Sequence, residues 1–176
     1  MTKHDNAHLM AGVGVRILVI GAALLLTSSV AWAQTVRGIQ IVEYGIYTAD
    51  KGSCQRDAQG IQRCNRTNVR HAATTTDVPA EIGVEFGLRY RVLGTPDGSK
   101  VSIKRVWLIP APGFQAPGAT QPLRRLERVD NTAIGETNFV SYGFDDTWEL
   151  VLGPWILEFW YGDVKVGEQR FTVVRP

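Results

Sequence analysis

The chain has 176 residues, 44% of them hydrophobic and 20% charged, with a formal net charge of +2. That apolar fraction is ordinary for a globular protein and excludes wholesale disorder, and its 18 glycines show no every-third-residue period, which excludes a collagen-like rod. So small a net charge gives no ground for a dedicated nucleic-acid binder.

Residues 1–33 read as a secretory signal peptide. Lys3 and Arg16 supply a positive n-region, Ile17 to Leu26 (ILVIGAALLL) an apolar h-region, and Ala31-Trp32-Ala33 a small-x-small cleavage triplet. Cleavage after Ala33 leaves Gln34 as the mature N-terminus. The stretch from Ile17 to Ala33 falls short of the roughly 20 apolar residues of a spanning helix, and Thr27, Ser28 and Ser29 weaken it further. No Arg-Arg pair precedes the h-region, which favours the general secretory route. Residues 34–176 are expected to form a single β-sandwich domain, periplasmic or secreted, with no transmembrane segment.

Ile39 and Ile41 share one parity and Val42, Tyr44 and Ile46 the other, so the first strand is expected to bulge or to pass between two sheets. Cys54 and Cys64 are the only cysteines. An exported chain meets an oxidising compartment, so the pair reads as a disulfide closing a polar, exposed loop. The chain-entropy cost of leaving that loop open is about 2.8 kcal/mol. A metal site lacks ligands, because His71 is the one histidine after residue 33.

Ile82, Val84, Phe86, Leu88, Tyr90 and Val92 alternate with Gly83, Glu85, Gly87, Arg89 and Arg91, which predicts a strand with one buried face. Thr95-Pro96-Asp97-Gly98 supplies a turn, and the chain returns as Val101 to Ile109 with Trp107 in phase. Pro110, Pro112, Pro117 and Pro122 mark a long loop, able to fold over a sheet. Leu123 to Val129 and Thr137 to Phe144 are weaker strand candidates. Trp155, Leu157, Phe159 and Tyr161 alternate with Ile156, Glu158 and Trp160, Gly162-Asp163 turns, and Val164 to Val174 returns with a change of phase near Gly167. No segment keeps a 3.6-residue period. About seven short strands argue for an antiparallel immunoglobulin-like β-sandwich, with a small closed β-barrel as the alternative.

Three stretches, Ile39 to Tyr47 (IQIVEYGIY), Gly153-Pro154-Trp155 with its strand, and Glu168 to Val173 (EQRFTV), resemble a bacterial family of exported proteins catalogued as a domain of unknown function (family 3859 type). The resemblance spans nearly the whole chain after residue 33. It implies an envelope location and an immunoglobulin-like fold, and it brings no catalytic residues. The cysteine loop is an elaboration on that pattern.

Catalytic constellations are thin. His71 lies in a polar run (RHAATTTD) with no Gly-x-Ser-x-Gly elbow, and reads as a solvated loop histidine. Asp145 and Asp146, with Glu149, read as turn and capping groups, with a glycosidase pair or a calcium site as the sharper alternative. No cofactor is expected. Charge is uneven: residues 51–128 carry 13 basic and six acidic groups, residues 129–176 three and eight. Arg124, Arg125 and Arg128 form the densest basic cluster, suited to an acidic partner or to pairing within the sandwich. Ile156 and Trp160 are expected on an outer sheet face, either open to a partner or covered by the proline-rich loop. The preferred reading is a non-enzymatic binding module for a protein or envelope component. A carbohydrate-active or calcium-dependent enzyme and a structural protein acting by β-augmentation are the alternatives.

Overall fold

The computed structural model describes residues 34–176, so the signal-peptide segment lies outside the described residues. Nine strands run in chain order: β1 (Thr35–Arg56), β2 (Gln62–Ala73), β3 (Asp77–Pro79), β4 (Glu85–Thr95), β5 (Lys100–Leu108), β6 (Arg125–Ala133), β7 (Thr137–Gly143), β8 (Gly153–Tyr161) and β9 (Val164–Val174). A single 3-10 turn, Thr147–Glu149, separates β7 from β8. The strands form a four-stranded sheet ordered β2-β1-β4-β7 and a five-stranded sheet ordered β3-β9-β8-β5-β6. This is a sandwich of two open sheets rather than a closed barrel. Among the described residues no helix is long and apolar enough to cross a membrane.

The seven segments expected as strands are all present, joined by β2 and β3. Neighbours pair antiparallel except β3, which lies parallel to β9 through Asp77↔Thr172 and Val78↔Val173. The phase switch in β1 is a bulge: pairing with β4 slips between Ile41 and Glu43. The second phase switch is a slip between Phe159 and Trp160 opposite Gly167. One expectation needs correction. The turn at residues 95–98 does not close a hairpin, because β4 and β5 belong to different sheets; it carries the chain across the sandwich. Ile82 also falls outside the alternating strand and is 51% exposed, since β4 starts only at Glu85.

The alternation of β4 and β8 produces the core. Phe86, Leu88, Tyr90 and Val92 face Trp155, Leu157 and Phe159 with almost no exposure. Phe86 sits at the centre, with Trp107, Phe144, Trp155 and Phe171 rings 5.2–5.6 Å away. Such edge-on aromatic pairs add about 0.5–1.5 kcal/mol each beyond area burial. Trp155 is fully buried and its indole N–H donates to the Val151 carbonyl at 2.8 Å, so no polar atom is orphaned there. On the opposite face of β4, Gly87 lets β7 approach closely: a Cβ there would meet the Val140 carbonyl oxygen at 2.1 Å.

β1 is the longest strand, and only part of it belongs to the sheet. It pairs with β4 up to Tyr47↔Glu85, and beyond that it pairs with β2 alone. The far parts of β1 and β2 therefore make a two-stranded arm. Cys54 and Cys64 stand directly opposite each other in it and are bonded. At its tip the Asp57 carboxylate accepts the Gln59 and Ile61 amides, each at 3.0 Å, which shapes the turn. Ile61, 2% exposed, plugs the arm into the core.

Candidate functional site

The five-stranded sheet presents an outer face whose residues follow from register. Lys104 lies opposite Trp160, Val106 opposite Glu158 and Leu108 opposite Ile156, while β6 sets Arg125 beside Leu108 and Val129 beside Lys104. Ile156, Leu108 and Trp160 are half-buried there. The Lys104 ammonium stands 5.6 Å from the Trp160 ring centroid, and the indole N–H donates to Glu158 at 3.0 Å. Glu158 also receives Lys165 at 3.4 Å, and Lys165 and Arg170 both reach Glu168, at 2.7 and 3.1 Å. Those partners hold the Glu168 carboxyl below its ordinary value. The proline-rich loop anchors elsewhere: its Phe114 is buried against Trp148, Tyr142 and Trp155.

The three clustered arginines do not act as one. Arg125 points to this outer face and pairs with Glu127, whose carboxyl it holds below the ordinary range. Arg128 has the opposite parity and turns toward the inside edge of the sandwich, pairing with Asp130 at 3.3 Å. Arg124 precedes β6 and abuts Gly113 of the proline-rich loop. Of the residues singled out in the sequence, Arg125, Ile156 and Trp160 share one face.

The acidic residues are held by the arm. Lys51 pairs with Asp145, and Arg56 forks onto Asp146 at 2.7 and 3.3 Å. Arg66 donates to Glu85 at 2.8 Å and lies 3.9 Å from Asp145. Glu149 is fully buried and accepts Tyr142 at 2.8 Å and the Asp145 and Asp146 amides at 2.7 and 3.1 Å. Burial pushes the Glu149 carboxyl up against the pull of these bonds, and pushes the Tyr142 phenol up as well. These carboxylates tie the arm to the turn after β7; the capping reading describes Glu149 and Asp146 well.

His71 sits in β2 rather than in a loop. Its Nε2 lies 3.0 Å from the Tyr44 carbonyl and its ring packs edge-on to Tyr47. Tyr47 donates to Glu43 at 3.1 Å, and its phenol is pushed up by burial first and by Glu43 second. Arg89 closes this cluster at 3.3 Å from Glu43.

A second group of arginines comes together only in the structure, and Arg128 alone among them belongs to the cluster singled out in the sequence. Arg63 and Arg66 from the arm, with Arg105 and Arg128 from the five-stranded sheet, line adjoining clefts at the open edge of the sandwich. The signal was there in β5: Arg105 interrupts the inward row Val101, Ile103, Trp107. The contribution of the arm was not, because only folding brings it across to that edge.

An immunoglobulin-like protein (PA1606) from Pseudomonas aeruginosa, known as a crystal structure, superposes with a TM-score of 0.54 at 25% identity, covering 83% of this chain and all (100%) of that one. DesR, a β-glucosidase from Streptomyces venezuelae, overlaps at a TM-score of 0.29 and 14% identity, covering 74% of this chain and 15% of its own length. No curated protein matches the sequence. The model of a domain of unknown function, DUF3859, matches residues 35–173. The chain belongs to the DUF3859 family of immunoglobulin-like domains.

Proposed function

We propose that this protein is an exported, non-enzymatic immunoglobulin-like domain that binds a protein or another envelope component through the outer face of its five-stranded sheet. One observation carries the reading: Leu108, Ile156 and Trp160 stand half-buried on an open sheet face, ringed by Lys104 and Arg125. Aromatic and aliphatic anchors inside a charged rim are the composition of a recognition surface. Arg124 and Arg128 lie beyond that rim and contribute charge that steers encounter. Export is supported by the n-region, h-region and Ala-x-Ala pattern before Gln34. Binding is favoured over hydrolysis because Asp145, Asp146 and Glu149 are each spent on the arm or on backbone amides.

The test is crosslinking capture from envelope extract with the exported form as bait. A partner captured by the wild type is expected to be lost with Trp160→Ala/Arg125→Glu and weakened with Arg124→Glu/Arg128→Glu. Equal capture by the first variant overturns the face assignment, and an empty capture by the wild type overturns the binding reading.

A further inference from the structure

The clefts at the open edge of the sandwich lie between the edge strands β6 and β7 and under the arm. Their volumes are about 80 and 130 Å³, and Arg63, Arg128, Ser141 and Tyr142 line both. Arg105, Trp107 and Glu127, the last paired with Arg125, wall one, and Arg66 and Cys64 the other. Four guanidinium groups from three strands thus converge on one edge of the fold.

Their counter-charges do not satisfy them. Asp57 serves Arg63 at 2.7 Å, and Glu85 serves Arg66 at 2.8 Å with Asp145 a more distant 3.9 Å away. A single carboxylate, Asp130, serves both Arg105 and Arg128. Among the described residues, Arg66 Nη1 and Arg105 Nε are buried without any acceptor. A buried donor left unmade costs about 1–3 kcal/mol, more where it is charged, so two orphans at one edge are an unusual expense. Arg128 is the most exposed member, its side chain 62% exposed and held by one contact to Asp130 at 3.3 Å. Guanidinium forks match carboxylate, sulfate and phosphate oxygens in pairs.

We propose that this cleft binds an oxyanion group, a carboxylate, sulfate or phosphate carried by a ligand whose remainder lies outside the protein. Volume sets the scale: drug-sized ligands fill roughly 300–1,000 Å³, whereas these clefts admit a head group only. The site goes beyond the docking face, since Arg128 and Arg125 project to opposite sides of β6, and one can fail without the other. The disulfide takes part, because it holds the arm that supplies Arg63 and Arg66.

The experiment titrates the purified protein with sodium sulfate, inorganic phosphate and glucuronate at constant ionic strength, following the arginine side-chain N–H resonances by NMR. Saturating shifts at Arg63, Arg105 and Arg128 are expected, at least tenfold weaker in Arg63→Gln/Arg128→Gln and unchanged in Arg91→Gln, whose side chain lines neither cleft. Arg63→Lys/Arg128→Lys keeps the charge but loses the fork, and is expected to fall between. Near-ultraviolet circular dichroism of the aromatic core checks that each variant is folded. Stronger saturation by sulfate and phosphate identifies a tetrahedral ligand, and stronger saturation by glucuronate a carboxylate. Shifts that rise without saturating, or that saturate equally in the folded double Gln variant, overturn the site.

Discussion

Glu149 is a side chain whose loss and whose neutralisation have different consequences. It is fully buried, and its two oxygens accept from Tyr142 and from two backbone amides. Removing it as Glu149→Ala leaves the buried Tyr142 hydroxyl and two part-buried amides unpaired, an expected loss of about 1–3 kcal/mol in chemical denaturation. Glu149→Gln keeps an acceptor for the amides and offers Tyr142 a donor. Burial raises the folded carboxyl above its ordinary value of 4.5. Such a group contributes stability that is fully present below the unfolded pKa and lost as pH rises through the folded one. The wild type is therefore expected to lose stability from about pH 4.5 upward, while the Gln variant starts level with it and does not share that loss. Urea midpoints of the two proteins across that range decide the matter, and parallel curves sink the assignment. At this scale the sequence was informative about Glu149 as a capping group, because an acid near a paired Asp-Asp after a strand is a turn signal. It was silent about Arg66, whose role depends on strands far apart in the chain.

Among the elements, the arm is held by contacts of unequal weight. Three ion pairs bind it to the turn after β7 and a fourth, Arg66 with Glu85, binds it to β4, but pairs with a solvent-exposed member such as Arg56 with Asp146 are worth at most about 1 kcal/mol each. Burying Ile61 is worth about 1.5–3 kcal/mol. The disulfide adds about 2.8 kcal/mol by closing a loop with a sequence separation of 10. Cys54→Ser/Cys64→Ser is accordingly expected to lose about 3 kcal/mol in a reversible denaturant melt. No change in midpoint contradicts this. The same comparison explains which strands were readable. β4 and β8 bury one face, so their apolar residues alternate. β2 is polar on both faces and has no apolar stripe; its place comes from β1 across the ladder, which a local pattern does not record. β3 owes its place to the parallel edge of β9, another long-range partner.

The whole molecule has a basic arm and edge set against an acidic turn. The charge imbalance between residues 51–128 and 129–176 is resolved in space, where Lys51, Arg56 and Arg66 meet Asp145 and Asp146. The sandwich itself was legible from composition, turn chemistry and alternation. The binding surfaces were only half legible, because register and the crossing of the arm decide which arginines share a face. If the protein is exported as proposed, intact-mass analysis of the form recovered from the envelope is expected to give a chain beginning at Gln34. A mass retaining residues 1–33 refutes cleavage.

The one covalent cross-link joins neighbouring strands of a single hairpin and leaves the two sheets unlinked. The bond is therefore not what joins the two layers. If the chain is exported as proposed, one intramolecular pairing is open to its two cysteines when they oxidise. What the cross-link adds is local: it fixes the two strands of the arm to each other, next to the edge of the sandwich that Arg63 and Arg66 help to wall.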